Sequence, residues 1–95
     1  MRIRDCVKST KIFSTMEIKD AVALRFMQIC DDRNIKLNEL ATLSGVTPST
    51  AYSMVDASRH DISIRTIKRF CDGLDISLAF FFSSEIFDNL DPDIR

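Results

Sequence analysis

The sequence predicts an all-α domain of about five short helices, led by a short basic N-terminal arm. Three observations carry this expectation. Apolar residues recur at helical spacing in several successive segments. Several of those segments start or end on a capping residue, as at Gly45, Thr47, Ser63 and Ser77. Only two Gly and two Pro occur in 95 residues, too few for a loop-rich or all-β scaffold. With 45% hydrophobic and 28% charged residues, the chain is globular in composition rather than disordered. Its length suits one domain whose core forms without disulfides or metal.

The elements follow in chain order. Residues 1–15 carry Arg2, Arg4, Lys8 and Lys11, with Ile3, Val7, Ile12 and Phe13 at no helical period. They read as an arm or a short strand. Met16 opens the compact part and could itself be a start, which makes residues 1–16 an extension. Ile18, Val22, Phe26, Ile29 and Cys30 fall at i, i+4, i+8, i+11 and i+12, one face of a helix from Ile18 to Arg33. A second helix fits Leu37 to Leu43, and Gly45 beyond it can take the positive φ of a helix end. Thr47 and Pro48 read as N-cap and first residue of a third helix, where the N–H that Pro lacks would be unused. That helix runs to about Val55 and is expected to bury Ala51, Met54 and Val55.

Residues 56–61 form a polar loop. Ser63 then caps a fourth helix with Ile64, Ile67, Phe70, Cys71 and Leu74 on its inner face and Gly73 near its end. A fifth helix fits Ile76 to Phe82 with Ser77 as cap. Ser84 can cap one more turn through Ile86, Phe87 and Leu90 before Pro92 stops it. The expected organisation is an arm at 1–16, a helical domain at 17–82, and an acidic tail at 83–95 holding a short helix.

The net charge of −1 conceals a gradient. Residues 1–19 carry net +3, 20–45 net −1, 46–72 net +1 and 73–95 net −4. The acidity is concentrated in the tail, which leaves room for a basic face elsewhere. Cys6, Cys30 and Cys71 show neither CxxC nor CxxH spacing, so neither a disulfide framework nor a zinc site is expected. His60 is the only histidine and has no partner pattern for a metal or for catalysis; it reads as loop decoration. No glycine-rich phosphate loop, nucleophile triad or HExxH motif occurs, and an enzyme is not expected. The longest apolar run, Leu78 to Phe82, has five residues, far short of the roughly 20 that span a bilayer. Charges at Asp5, Lys8 and Lys11 leave no apolar stretch for a signal peptide. The expectation is a soluble cytoplasmic protein with no cofactor, metal, small-molecule ligand or membrane contact.

The stretch from Leu40 to Val55 carries the functional signal. Two short helices meet across a turn that begins with Gly45, which is helix-turn-helix geometry. Ala41 is small where the helices approach, Val46 plugs the turn, and Pro48, Ser49, Tyr52 and Ser53 are left on the outer face of the second helix. Here the sequence resembles the Cro/C1-type (Xre) helix-turn-helix family. The segments concerned are Lys36–Ala41, Ser44–Thr50, Ile64–Ile67 and Cys71–Leu78, in family order, across about Glu17 to Phe82. The resemblance implies a lambda-repressor-like five-helix fold and a transcriptional regulator that binds double-stranded DNA with its third helix in the major groove.

By the same resemblance, Pro48, Ser49, Tyr52 and Ser53 match base-proximal positions, and Lys36, Thr47, Ser58 and Arg59 match backbone-contacting ones. Leu37 stands where the family often has Gln, and Val55-Asp56-Ala57 where Glu-Asn-Gly is usual. Asp56 thus brings a negative charge to a phosphate-contacting position. Family practice also implies a dimeric repressor. The apolar end of the chain, with Phe81, Phe82, Ile86, Phe87 and Leu90, exceeds what one short helix buries and supplies candidates for the homodimer interface. The alternative is a protein-interaction module of the same fold, antitoxin-like or regulator-binding, with little or no DNA binding. The absence of any charged residue from the third helix favours it.

Overall fold

The computed structural model describes residues 16–92. The readings made for the arm (Arg2, Arg4, Lys8, Lys11 and Cys6) lie outside the described residues. Five α-helices follow one another: α1 (Ile18–Asp32), α2 (Leu37–Ser44), α3 (Pro48–Met54), α4 (Ile64–Gly73) and α5 (Leu78–Phe81). A 3-10 turn over Glu85–Asp88 completes the order. No strand forms among the described residues. The β-type pairing among the described residues is an isolated parallel bridge between Met16 and Leu90, supported by the Asp91 N–H donating to the Met16 carbonyl at 3.0 Å.

The helix starts are those the sequence marks. Thr47, Ser63, Ser77 and Ser84 each accept a backbone N–H, from Thr50, Thr66, Phe80 and Ile86 respectively. Such caps stabilise a helix by about 1 kcal/mol each. The helix ends share one device. After α1, α2 and α4 a residue takes a positive φ: Asn34 at 57°, Gly45 at 70° and Asp75 at 59°. The next N–H then reaches back to the last turn, as Ile35 to Cys30, Val46 to Ala41 and Ile76 to Cys71. Three successive Schellman closures fix the angles at which the chain leaves these helices, and only one of them uses glycine.

Gly73, expected near a helix end, proves to be the last residue of α4 and serves a different purpose. A Cβ there would fall against Ser44 Oγ and 3.0 Å from the Leu43 carbonyl. Its lack of a side chain lets the end of α4 lie directly on the end of α2. The core is built from Val22, Phe26 and Cys30 of α1, Leu40 and Ala41 of α2, Ala51 and Met54 of α3, and Ile67, Phe70 and Cys71 of α4. Phe26 joins it to the C-terminal aromatics, 5.2 Å from Phe70 and 4.2 Å from Phe81 between ring centroids. Phe82 and Phe87 continue the stack, 4.8 Å and 5.7 Å from Phe81.

Four sequence expectations change here. Phe81, a candidate for a subunit interface, is fully buried within one chain, because the aromatic end closes over Phe26. Val55 is exposed, since α3 stops at Met54 and Val55 lies past its last buried turn. Ile64 is 66% exposed, being the first residue of α4, where the inner face has not yet begun. At the start of α1, Ile18 is 41% exposed while Lys19 is 2% exposed, so the inward stripe runs through Lys19, Val22, Phe26, Ile29 and Cys30.

That rotation of α1 gives its basic residues a common task. Lys19 Nζ donates to the Asp56 carbonyl beyond the end of α3 at 2.6 Å. Arg25 donates to the Phe81 and Phe80 carbonyls at the end of α5, at 2.8 Å and 3.0 Å, with its guanidinium over the Phe80 ring. Arg33 donates to the Leu74 carbonyl at the end of α4. Each cation meets a backbone carbonyl at or just beyond the C-terminal, negative dipole end of a different helix. One long helix thereby holds the C-terminal ends of three shorter ones.

Candidate nucleic-acid interface

The turn between α2 and α3 is short because both of its ends are closed locally. Gly45 ends α2, and Thr47 begins α3 with its hydroxyl accepting the Thr50 N–H at 3.3 Å. Half-buried Val46 packs against the core beneath. Ala51 and Met54 face inward, which turns the opposite face of α3 to solvent. Pro48 and Ser49 are exposed there, Tyr52 is 51% exposed, and Ser53 is half-buried. The four residues expected to lie near bases therefore share one outward surface.

The hydroxyls on this surface are already partly engaged. Thr47 Oγ1 lies 3.1 Å from both Ser49 Oγ and Thr50 Oγ1. Ser53 Oγ donates to the Ser49 carbonyl at 2.9 Å, one helical turn back. Ser49 keeps an exposed hydroxyl, and Ser53 keeps its oxygen lone pairs, so both can still meet an incoming group. α3 carries no charged side chain; its outward surface is neutral.

The residues expected to contact a backbone flank it. Lys36 is exposed at the start of α2, where its N–H donates to Glu39 Oε1 at 3.3 Å. Ser58 and Arg59 follow α3 in an exposed loop. Thr50, Ser53, Arg59, Ser63 and Thr66 line a polar depression of about 160 Å³, which brings Ser53 and Arg59 to one concavity. Asp56 organises the loop: its Oδ1 accepts the Ser58 N–H at 3.0 Å and the Ser58 hydroxyl at 2.8 Å, and its Oδ2 lies 3.8 Å from Arg59 Nε. These Ser58 hydrogen bonds, with Arg59 and Lys19 nearby, hold the Asp56 carboxyl below the usual carboxylate range.

Other bases are matched with acids as well. His60 Nδ1 lies 3.2 Å from Glu17 Oε1, and Lys68 Nζ lies 2.6 Å from Asp72 Oδ1. Lys68 thus serves its own helix at i, i+4. Among the described residues no cluster of His, Cys, Asp and Glu could hold a metal ion, and no helix is long and apolar enough to cross a membrane. Burial raises the Cys30 thiol, and pushes that of Cys71 up to about 11, so both behave as small core hydrophobes.

The residue that sequence reasoning missed is Lys19. It is buried, and it fixes the backbone immediately beyond α3. The signal was present, because 19, 22, 26, 29 and 30 follow i, i+3, i+7, i+10 and i+11, a tighter stripe than one begun at Ile18.

Residues 25–81 match the family model described as the Cro/C1-type HTH DNA-binding domain. The chain belongs to the Cro/C1-type helix-turn-helix family. The match spans α2, α3, α4 and α5 and the second half of α1, so the Cro/C1-type assignment does not rest on the turn alone. Among solved structures, prophage Lp1 protein 11 is similar, with a TM-score of 0.68 and 28% sequence identity over 74% of this chain and 92% of that one. No curated protein matches the sequence. The Cro/C1-type family is one of DNA-binding regulators rather than enzymes.

Proposed function

We propose that this Cro/C1-type protein is a sequence-specific transcriptional regulator that binds double-stranded DNA as a homodimer and acts as a repressor. In this reading α3 enters the major groove, with Pro48, Ser49, Tyr52 and Ser53 next to base edges. Lys36, Thr47, Ser58 and Arg59 sit on the flanking phosphates. The observation that carries it is the outward surface of α3: its inner residues are locked in the core while these four face solvent together. Tyr52 can meet a thymine methyl or a phosphate, and the two serines discriminate bases weakly. A single neutral α3 therefore holds duplex loosely, and two copies on half-sites about 34 Å apart would multiply the contacts. Half-buried Phe82, Ile86, Phe87 and Leu90 remain the candidates for the subunit contact.

The second reading, a protein-interaction module, is favoured by the neutral α3 and by the pairing of Arg59 with Asp56. Salt titrations of duplex binding separate the two. Under the DNA reading, Lys36→Ala and Arg59→Ala each flatten the logarithmic salt slope by about one unit. Ser49→Ala and Tyr52→Ala instead change which sequences are preferred. Binding that responds to neither class of substitution would refute the groove assignment.

A further inference from the structure

The loop after α3 is closed upon itself by one residue. Asp56 receives five approaches, two from Ser58, two from Arg59 and one from Lys19. Its carboxylate takes the Ser58 N–H at 3.0 Å, the Ser58 hydroxyl at 2.8 Å and, more distantly, Arg59 Nε at 3.8 Å. Its carbonyl takes the Arg59 N–H at 3.0 Å and the Lys19 ammonium at 2.6 Å. Ser58 and Arg59 are the two loop residues whose donors would meet a DNA phosphate, and a carboxylate offers those donors the same anionic oxygens that a phosphate does. Both side chains are exposed, and Asp56 is the acid that the structure pairs with them, although Asp61 lines the same depression as Arg59.

We propose that Asp56 is an intramolecular stand-in for a DNA phosphate, which lowers the affinity of this face for duplex by occupying Ser58 and Arg59. The inference rests on the reading that the face binds DNA. Binding at this loop is then an exchange: Ser58 gives up two hydrogen bonds and Arg59 an exposed ion pair at 3.8 Å to reach a phosphate, so the gain is only a difference. The carboxylate is further held ionised by the Ser58 hydrogen bonds, so it remains a competitor at neutral pH. Asp56 is a positioning residue for Arg59, and through its carbonyl it also receives the Lys19 anchor, which a side-chain substitution leaves in place.

Asp56→Asn tests this. The amide oxygen can still accept from Ser58, so the turn is kept while the charge is removed. Asp56→Ser, whose hydroxyl can accept the same N–H, removes the charge by a second route. Each is titrated by fluorescence anisotropy against a labelled duplex of mixed sequence over a salt series, beside wild type, Arg59→Ala and Asp56→Asn/Arg59→Ala. The expected result is about three- to tenfold tighter binding by both charge-removing variants at low salt, with a salt slope steeper by about one unit. In the Arg59→Ala background the gain should shrink below about twofold, since the two residues act as a pair. Unchanged affinity in both charge-removing variants while Arg59→Ala weakens binding would overturn the inference and leave the DNA reading standing. A gain that persists undiminished without Arg59 would also overturn it, by showing simple repulsion. If wild type and every variant fail to bind duplex at low salt, the DNA reading fails and takes this inference with it.

Discussion

Gly73→Ala sets two known effects against each other at the base of the helix-turn-helix. Alanine in a helix is favoured over glycine by about 1 kcal/mol, and Gly73 has ordinary helical backbone, so propensity alone predicts a more stable protein. Against this, the new Cβ would meet Ser44 Oγ and approach the Leu43 carbonyl carbon and oxygen at 3.0 Å. Leu43 is helical backbone and cannot move without tilting the end of α2. The Ser44 hydroxyl is itself buried with no partner, so there is little room into which it can swing. Overpacking of this kind costs about 1–3 kcal/mol, and rigid backbone on one side places it in the upper part of that range. The net expectation is a loss of about 1–2 kcal/mol, or roughly 5–15 °C in Tm for a domain of this size. Gly73→Val, which lacks the propensity gain and is larger, should lose more. Thermal and urea unfolding monitored by circular dichroism read both. A Gly73→Ala protein that melts at or above the wild-type temperature would refute the close-approach argument.

Three further outcomes follow from the packing and the ionisable groups. Phe81→Ala removes a fully buried ring that touches Phe26, Phe82 and Phe87; it should cost about 3–5 kcal/mol, and a loss below about 1 kcal/mol in urea unfolding would show that the aromatic end is not core. Cys71, with its thiol raised to about 11, should resist iodoacetamide at pH 8 in the folded protein and react on unfolding; mass spectrometry showing rapid native alkylation would contradict its burial. The Asp56 carboxyl lies below its ordinary value of 3.8, so its contribution to stability is present above about pH 4 and is lost as pH falls through the lowered pKa. The stability difference between wild type and Asp56→Asn should therefore shrink as pH falls below 4, and a difference that stays constant down to pH 2 would rule out the ionised carboxylate as its cause.

Much of the fold could be read from local chemistry. Thr47, Ser63, Ser77 and Ser84 announce the helix starts because a side-chain oxygen at that position satisfies an orphan N–H irrespective of tertiary context. Gly45 announces the turn for a similarly local reason. The errors lie where tertiary packing chooses between neighbours. Ile18 and Lys19 compete for one inward position; the spacing of 19, 22, 26, 29 and 30 favours lysine, but hydrophobicity favours isoleucine, and the Asp56 carbonyl that receives the ammonium lies 37 residues away. Gly73 does lie at the end of α4, but Asp75 takes the left-handed position, and what requires glycine at 73 is Ser44 across the fold. Of the aromatic end after Leu78, Phe81 alone moves from the interface candidates into the core, because the distance from Phe26 to Phe81 is not written in either segment. On the interface itself, the resemblance supplied the positions on α3, while the capture of Ser58 and Arg59 by Asp56 depends on loop geometry.

The measurement that most directly tests the central claim is selection of bound duplexes from a random pool by the full chain at about physiological salt. The account predicts an enriched, roughly palindromic motif with half-sites about one helical turn apart, lost or altered in Tyr52→Ala. A folded protein that enriches no sequence above the starting pool would contradict it.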